Sequence, residues 1–423
     1  MNRTISPPIS EIERIKFVEP QLIKFDNGMP VALFRDSSQE VIKLELIIDA
    51  GIKYQTKPLV ANAVIEMLRE GTTKHTADQI AEAFDIYGSY LNLSVNQDFS
   101  SISLFTLSKN LEKSLELLMD ILQNPIFPED KLEIYLSRRK QDFMVSNQKV
   151  VNLSSRQFSK VLFDTHPYAN LVELNDYDHV KTADLKAFFG SFYGPNRSKL
   201  LLAGHYSDSI LKIIAQAFEG WQTKSLPQNA VPFVLPTYTQ KQWLIEKDPT
   251  MQSGLSMGKV LMNRTHPDYH KMAVVNTIFG GYFGSRLMKN IREDKGYTYG
   301  IHSFMQSFQE TGIFAIKSEV NAQFTQQTID EVYKELRLLQ TNLVEMDELN
   351  KVKSYMLGQL LRQVDGAIPM SDKYLQAWQN GLNWNHFTKA IEDIKTINPD
   401  DIRQLTQLYL NEESLLCVVA GKL

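Results

Sequence analysis

Two histidines four residues apart are a familiar zinc-binding spacing, because on a helix they share one face. Of the eight histidines, His266 and His270 have it, within Thr265-His266-Pro267-Asp268-Tyr269-His270. Pro267 and Asp268 mark a helix start, which leaves His266 outside the helix and the pair without a common face. They read as solvated histidines at a helix entrance, and His75, in the loop after Gly71, reads the same way. The run Gly280-Gly281-Tyr282-Phe283-Gly284 offers backbone amides to an anion, but it lacks the Gly-Lys-Ser/Thr ending of a phosphate loop. It reads as a helix end where backbones pack closely. Asn62 and Glu66 are also four apart, with Ile65 beside them on the polar edge of a helix whose core face is Leu59, Val60, Ala63, Val64 and Met67. One carboxylate is not a ligand set. The single cysteine, Cys417, sits in the apolar run Leu415 to Val419, which excludes an intrachain disulfide and a thiolate-rich metal site.

The elements that must position these residues come in duplicate. Val180-Lys181-Thr182-Ala183-Asp184-Leu185, an aromatic-rich helix and Ser198 to Gly204 are echoed by Ile394 to Pro399, a helix and Ser414 to Gly421. Leu111 to Leu122 pairs in the same way with Thr328 to Leu339, and Ala81 to Gly88 with Leu287 to Gly296. The stripe Phe188, Phe189, Phe192 and Tyr193 has helical spacing and reads as core. Each half predicts strand, helix, helix, strand, strand, three helices and strand, which is an α+β domain with a mixed or mostly antiparallel sheet. Pro227, Pro232 and Pro236 interrupt the stretch between the halves. The chain therefore divides into residues 1–225, a linker at 226–239 and residues 240–423.

With 45 Lys and Arg against 49 Asp and Glu, the net charge of −4 argues against a general binder of nucleic acid or anionic membrane. Met1 to Phe17 carries Pro7-Pro8, Glu11 and Glu13 where a secretory signal would be apolar. Nowhere do 18 consecutive apolar residues occur, so a membrane span is not expected and a cytoplasmic location is.

An ordered set of short motifs resembles the insulinase-like metallopeptidases, family M16, which include pitrilysin and the mitochondrial processing peptidases. The matching runs are Glu70 to Ile80 through Tyr87 to Asn92, Asn124-Pro125-Ile126-Phe127, His166-Pro167-Tyr168 and Tyr193-Gly194-Pro195-Asn196. In the second half they are Gly280 to Leu287 and Arg292-Glu293-Asp294-Lys295-Gly296-Tyr297-Thr298-Tyr299. The resemblance implies a duplicated metallohydrolase fold and a zinc motif, H-x-x-E-H, just before Gly71-Thr72. Its two histidine positions are here Asn62 and Glu66, and its general-base position is Ile65. Where the family supplies a third ligand, Arg138 to Phe143 offers only Asp142. The expectation is therefore no cofactor on this chain.

In paired-subunit members of that family one chain carries zinc and the other lends an arginine and a tyrosine seven residues later. Arg292 and Tyr299 match that spacing. The resemblance thus implies a non-catalytic, substrate-binding subunit of a heterodimeric zinc peptidase, with zinc in an H-x-x-E-H partner and a peptide as substrate. Gly280 and Gly281 would be hinge-like glycines bordering the shared chamber. Three readings stay open: a structural scaffold, a peptide-binding homodimer, and a peptidase using unfamiliar ligands.

Overall fold

The computed structural model describes residues 12, 14–36, 39–221, 234 and 236–423. Most of the expected linker, 226–239, lies outside the described residues. The first half runs β1 (Gln21–Lys24), β2 (Pro30–Arg35), β3 (Val41–Ile48), α1 (Val60–Met67), α2 (Ala77–Ile86), β4 (Tyr90–Val95), β5 (Ser100–Leu107), α3 (Leu111–Gln123), α4 (Glu129–Ser146), α5 (Val150–Phe163), α6 (Thr182–Phe192), β6 (Ser198–Gly204) and α7 (Asp208–Glu219). The second runs β7 (Gln242–Glu246), β8 (Gln252–Leu261), α8 (Tyr269–Asn276), π-helical stretches at Thr277–Gly281 and Met288–Asp294, β9 (Thr298–Ser307), β10 (Gly312–Asn321), α9 (Thr325–Thr341), α10 (Met346–Arg362), α11 (Ala367–Trp378), α12 (Trp384–Thr396), α13 (Pro399–Tyr409) and β11 (Leu416–Gly421).

The repeat seen in the sequence is a repeat of topology. The sheets are ordered β1-β2-β6-β3-β5-β4 and β7-β11-β8-β10-β9, so β2, β6, β3, β5 and β4 correspond to β7, β11, β8, β10 and β9. Only β2 with β6 and β7 with β11 pair in parallel; the other pairings are antiparallel. Both sheets are therefore mixed, and the fold is α+β with two homologous halves. More helices separate the last strands than the sequence predicts. In the first half α4 and α5 are distinct, although no glycine or proline lies between Glu129 and Phe163. The break is a turn at Asn147 to Lys149, closed by Lys149 N–H donating to the Ser146 carbonyl at 3.0 Å.

Alternation along β3 explains how each sheet is covered on both faces. Ile42, Leu44, Leu46 and Ile48 point into the core of the first half with α1 and α3. On the other face Lys43 and Glu45 form a buried ion pair at 3.0 Å, and Lys43 also pairs with Asp372 of α11. The cover on that face thus comes from the second half: α11 packs on β2 and β6, with Tyr374 and Trp384 against Phe34. The first half reciprocates. Its α5 lies across β8 and β11, burying Phe158 and Leu162 with Ala315, Leu416 and Val418. Gly254 on β8 permits this approach, since a Cβ there would stand 2.3 Å from the Val150 carbonyl oxygen.

A buried charge cluster adds a second tie between the halves. Lys53 Nζ lies 3.1 Å from Asp98 and 3.1 Å from Glu310. Asp98 also accepts from the Tyr168 hydroxyl at 2.6 Å and from the Gln309 amide at 3.0 Å. Burial alone would lower the Lys53 pKa, but Asp98, Tyr54 and Glu310 together outweigh it and hold the ammonium above its ordinary value.

Candidate functional site

The helix that would carry a zinc motif is α1. It starts after Leu59, whose φ of 73° is left-handed, and the Gln55 side chain accepts from the Ala61 amide at 3.2 Å in place of a capping side chain. Sandwiched by β4, α4 and α6, it buries Val60, Ala61, Ala63, Val64 and Met67. Asn62 and Glu66 remain half-buried along one edge, as their polarity demands. Ile65 does not share that edge. It is 2% exposed and belongs to the core of the first half.

The surrounding donors do not suit zinc. Glu66 is engaged by Arg69 at 2.7 Å. On α4 the Arg139 guanidinium lies 3.9 Å from the Asp142 carboxylate. Phe143 packs on Tyr177 at 5.5 Å beneath the Arg156 guanidinium at 4.6 Å. Catalytic zinc takes about three protein ligands and neutral imidazole is the commonest, whereas this edge presents a carboxamide and a carboxylate already paired, with the apolar Ile65 turned into the core. Among the described residues no group of three or more His, Cys, Asp or Glu is arranged to hold a metal ion.

Beyond the end of α1, Gly71 leads into a turn pinned by Asp120, which accepts from Thr72 Oγ1 at 2.5 Å and lies 2.9 Å from His75 Nδ1. Burial works against the Asp120 carboxylate, but hydrogen bonds from Thr72, His75 and Asn124 outweigh it and hold its pKa below the usual range.

Arg292 and Tyr299 are presented differently. Arg292 lies in the π-helical stretch Met288–Asp294, a wide turn that sequence periodicity does not announce. Its guanidinium sits 4.7 Å above the Phe283 ring, and Phe283 is itself exposed. Tyr299 stands on β9, the outer strand of the second sheet, beside a bulge opposite Ser318 to Val320, and is 92% exposed. Among the described residues neither side chain hydrogen-bonds or ion-pairs, with each other or with any other group. A planar fork of N–H donors, half-buried against Phe283, and a phenol facing water can donate to a carbonyl or to an oxyanion brought to them.

Gly280 and Gly281 end the stretch Thr277–Gly281. A Cβ on Gly280 would lie 2.7 Å from the Ser303 backbone nitrogen, and one on Gly281 2.9 Å from Asn276 Nδ2. Gly280 lets this turn press against β9, the strand that carries Tyr299, while Gly281 leaves room for Asn276 at the end of α8.

The histidine reading needs correction. His266 does precede α8, with its Nδ1 accepting from the Asp268 amide at 3.1 Å. His270 is not solvated: it is 9% exposed and packs at 4.2 Å between ring centres on His386 of α12. The partner lies far along the chain, so local sequence carried no signal for it.

Comparison with known proteins agrees with this architecture. Residues 30–173 match the model of insulinase (peptidase family M16), and residues 179–356 that of the peptidase M16 inactive domain. The uncharacterized zinc protease YmxG of Bacillus subtilis (strain 168) is 21% identical over 401 residues, covering 93% of this chain and 96% of that protein. The mitochondrial-processing peptidase subunit beta of Bos taurus is 23% identical over 425 residues, covering 95% of this chain and 84% of that one. Among solved structures, a peptidase M16 inactive domain from Pseudomonas fluorescens shares the fold with a TM-score of 0.89 at 24% identity, over 96% of this chain and 99% of that chain. Matched along both halves and built on the same duplicated sheets, the chain belongs to the insulinase family, peptidase family M16.

Proposed function

We propose that this chain is the substrate-binding, non-catalytic subunit of a paired zinc peptidase, with residues 1–225 and 240–423 as its two insulinase-like domains. The observation that carries the reading is the unengaged presentation of Arg292 and Tyr299, the latter 92% exposed on an outer strand. The altered donor set around Asn62, Ile65 and Glu66 supports it from the other side, since zinc and a general base would then have to come from an H-x-x-E-H partner. A relative named as a subunit, that of Bos taurus, is consistent with work in pairs. In this reading Arg292 donates to a carbonyl or carboxylate of the bound peptide, and the Tyr299 hydroxyl donates to the oxyanion as water attacks. The expected location is the cytoplasm.

The test is reconstitution with an H-x-x-E-H chain of the same family. The isolated protein, free of tags, carries no stoichiometric zinc by elemental analysis and cleaves no peptide. In the pair, Arg292→Ala and Tyr299→Phe each lower kcat/KM by about 10- to 100-fold. Stoichiometric zinc on the isolated chain overturns the proposal. Unchanged activity of the pair carrying both substitutions would leave a scaffold role in its place.

A further inference from the structure

A cavity of about 240 Å³ opens between α8, α10, α11 and α12, and it shares no lining residue with the Arg292 and Tyr299 face. Its wall is largely apolar, with Met356, Leu360, Phe387 and Ile394 among its contributors. Apart from the phenols of Tyr269 and Tyr355, the charged and titratable groups that line it are basic: Arg264, Lys373, His270 and His386, with no aspartate or glutamate. Their hydrogen bonds leave capacity. Arg264 Nη1 donates to the Gln376 carbonyl at 2.6 Å, while its Nε is buried without a partner. Lys373 Nζ donates to amide oxygens, at 2.7 Å from Gln363 and 3.5 Å from Gln376, and lies 4.8 Å from the centre of the Phe387 ring. The carboxylate that acts on this cluster, Asp393, lies outside the cavity wall and is taken up by Lys389 at 2.9 Å.

Desolvated cations without a counter-charge are costly. Burial, with Arg264 beside it, brings the Lys373 pKa down to about 8, and burial holds the His270 pKa at about 4. A negatively charged group entering the cavity would meet the Arg264 guanidinium and an ammonium bound to neutral amides. An apolar hole of about 150 Å³ accepts benzene. The volume here therefore suits a ring with a short chain, or an alkyl chain of comparable bulk.

We propose that this cavity binds a small organic carboxylate with an apolar tail, its headgroup on Arg264 and Lys373 and its tail against Met356, Leu360 and Phe387. The carboxylate recruits the free donors, and the tail fills apolar space that water hydrates poorly.

Titration calorimetry of the full chain with octanoate and 4-phenylbutyrate, each beside its neutral amide, tests this. The expected result is one carboxylate bound per chain, with the amide at least about tenfold weaker. Lys373→Met, and separately Arg264→Gln, weaken the carboxylate by at least about tenfold and leave the amide unchanged, in variants whose unfolding remains cooperative. Equal affinity for acid and amide would reduce the cavity to an apolar hole and overturn the assignment. So would the absence of heat from either acid, or displacement of octanoate by an equal concentration of inorganic phosphate.

Discussion

Ile65 commits its side of α1 to packing rather than to metal chemistry. In the proposed reading the general-base position is filled by this isoleucine, which belongs to the core, while its neighbour Glu66 is engaged by Arg69 at 2.7 Å. Restoring the base is therefore a packing experiment before it is a catalytic one. Ile65→Glu places a carboxylate among apolar side chains and is expected to cost about 2–4 kcal/mol, read as a shift of the urea midpoint. The triple change Asn62→His, Ile65→Glu and Glu66→His is expected to gain no peptide hydrolysis. A triple variant as stable as the parent would show that the flanking helices yield more readily than their packing implies. Asn62 and Glu66 were readable from spacing alone. The burial of Ile65 was not, because one helix's periodicity does not reveal that β4, α4 and α6 all pack around it.

At the scale of elements, the duplicated strand and helix order was legible in short echoes such as Thr182-Ala183-Asp184-Leu185 and Thr396-Ile397-Asn398-Pro399. The sheets confirm that order of strands. What stayed hidden was where the helices go, since an amphipathic pattern states that a face is buried but not which sheet buries it. Thus α5 and α11 read as members of their own halves, although each covers the sheet of the other. Gly254 is the position at which this can be probed. Gly254→Val drives a side chain into the backbone at Val150 and is expected to cost at least about 1–3 kcal/mol. Gly358→Ala, inside α10 with nothing within 4 Å of the added carbon, is expected to stabilise by about 0.5–1 kcal/mol. Thermal unfolding of both variants checks the contrast. The contact of α8 with α12 has its own signature in pH. His270 and His386, facing Arg264, Lys373, Lys389 and Asp393, have folded pKa values pressed by burial to about 4 and about 3. An unfolded chain takes up these protons near the ordinary histidine value of about 6.5. Stability is therefore complete above that pH and falls as the pH drops from about 6.5 toward 4. Replacing both histidines with glutamine should flatten the midpoint of unfolding across that window.

For the whole molecule, the halves are held by the crossed helices and by the Lys53, Asp98 and Glu310 cluster as well as by the covalent connection. A protease site inserted between residues 226 and 239 tests how much the connection matters. After cleavage the two fragments are expected to co-elute on size exclusion and to unfold in one transition. Fragments that separate in native buffer would show that the crossed helices do not hold them. The exchange also carries a historical meaning. A lone repeat with its α5-type helix projecting would leave one sheet face bare, and only two identical copies trading that helix would cover both. Joining such copies end to end turns an association that depends on concentration into a unimolecular one, with an effective concentration set by the tether. On this view the tandem chain is a fused ancestral dimer, and each half was then free to drift. In the proposed reading that freedom is what leaves α1 without a metal's donors while the second half offers Arg292 and Tyr299.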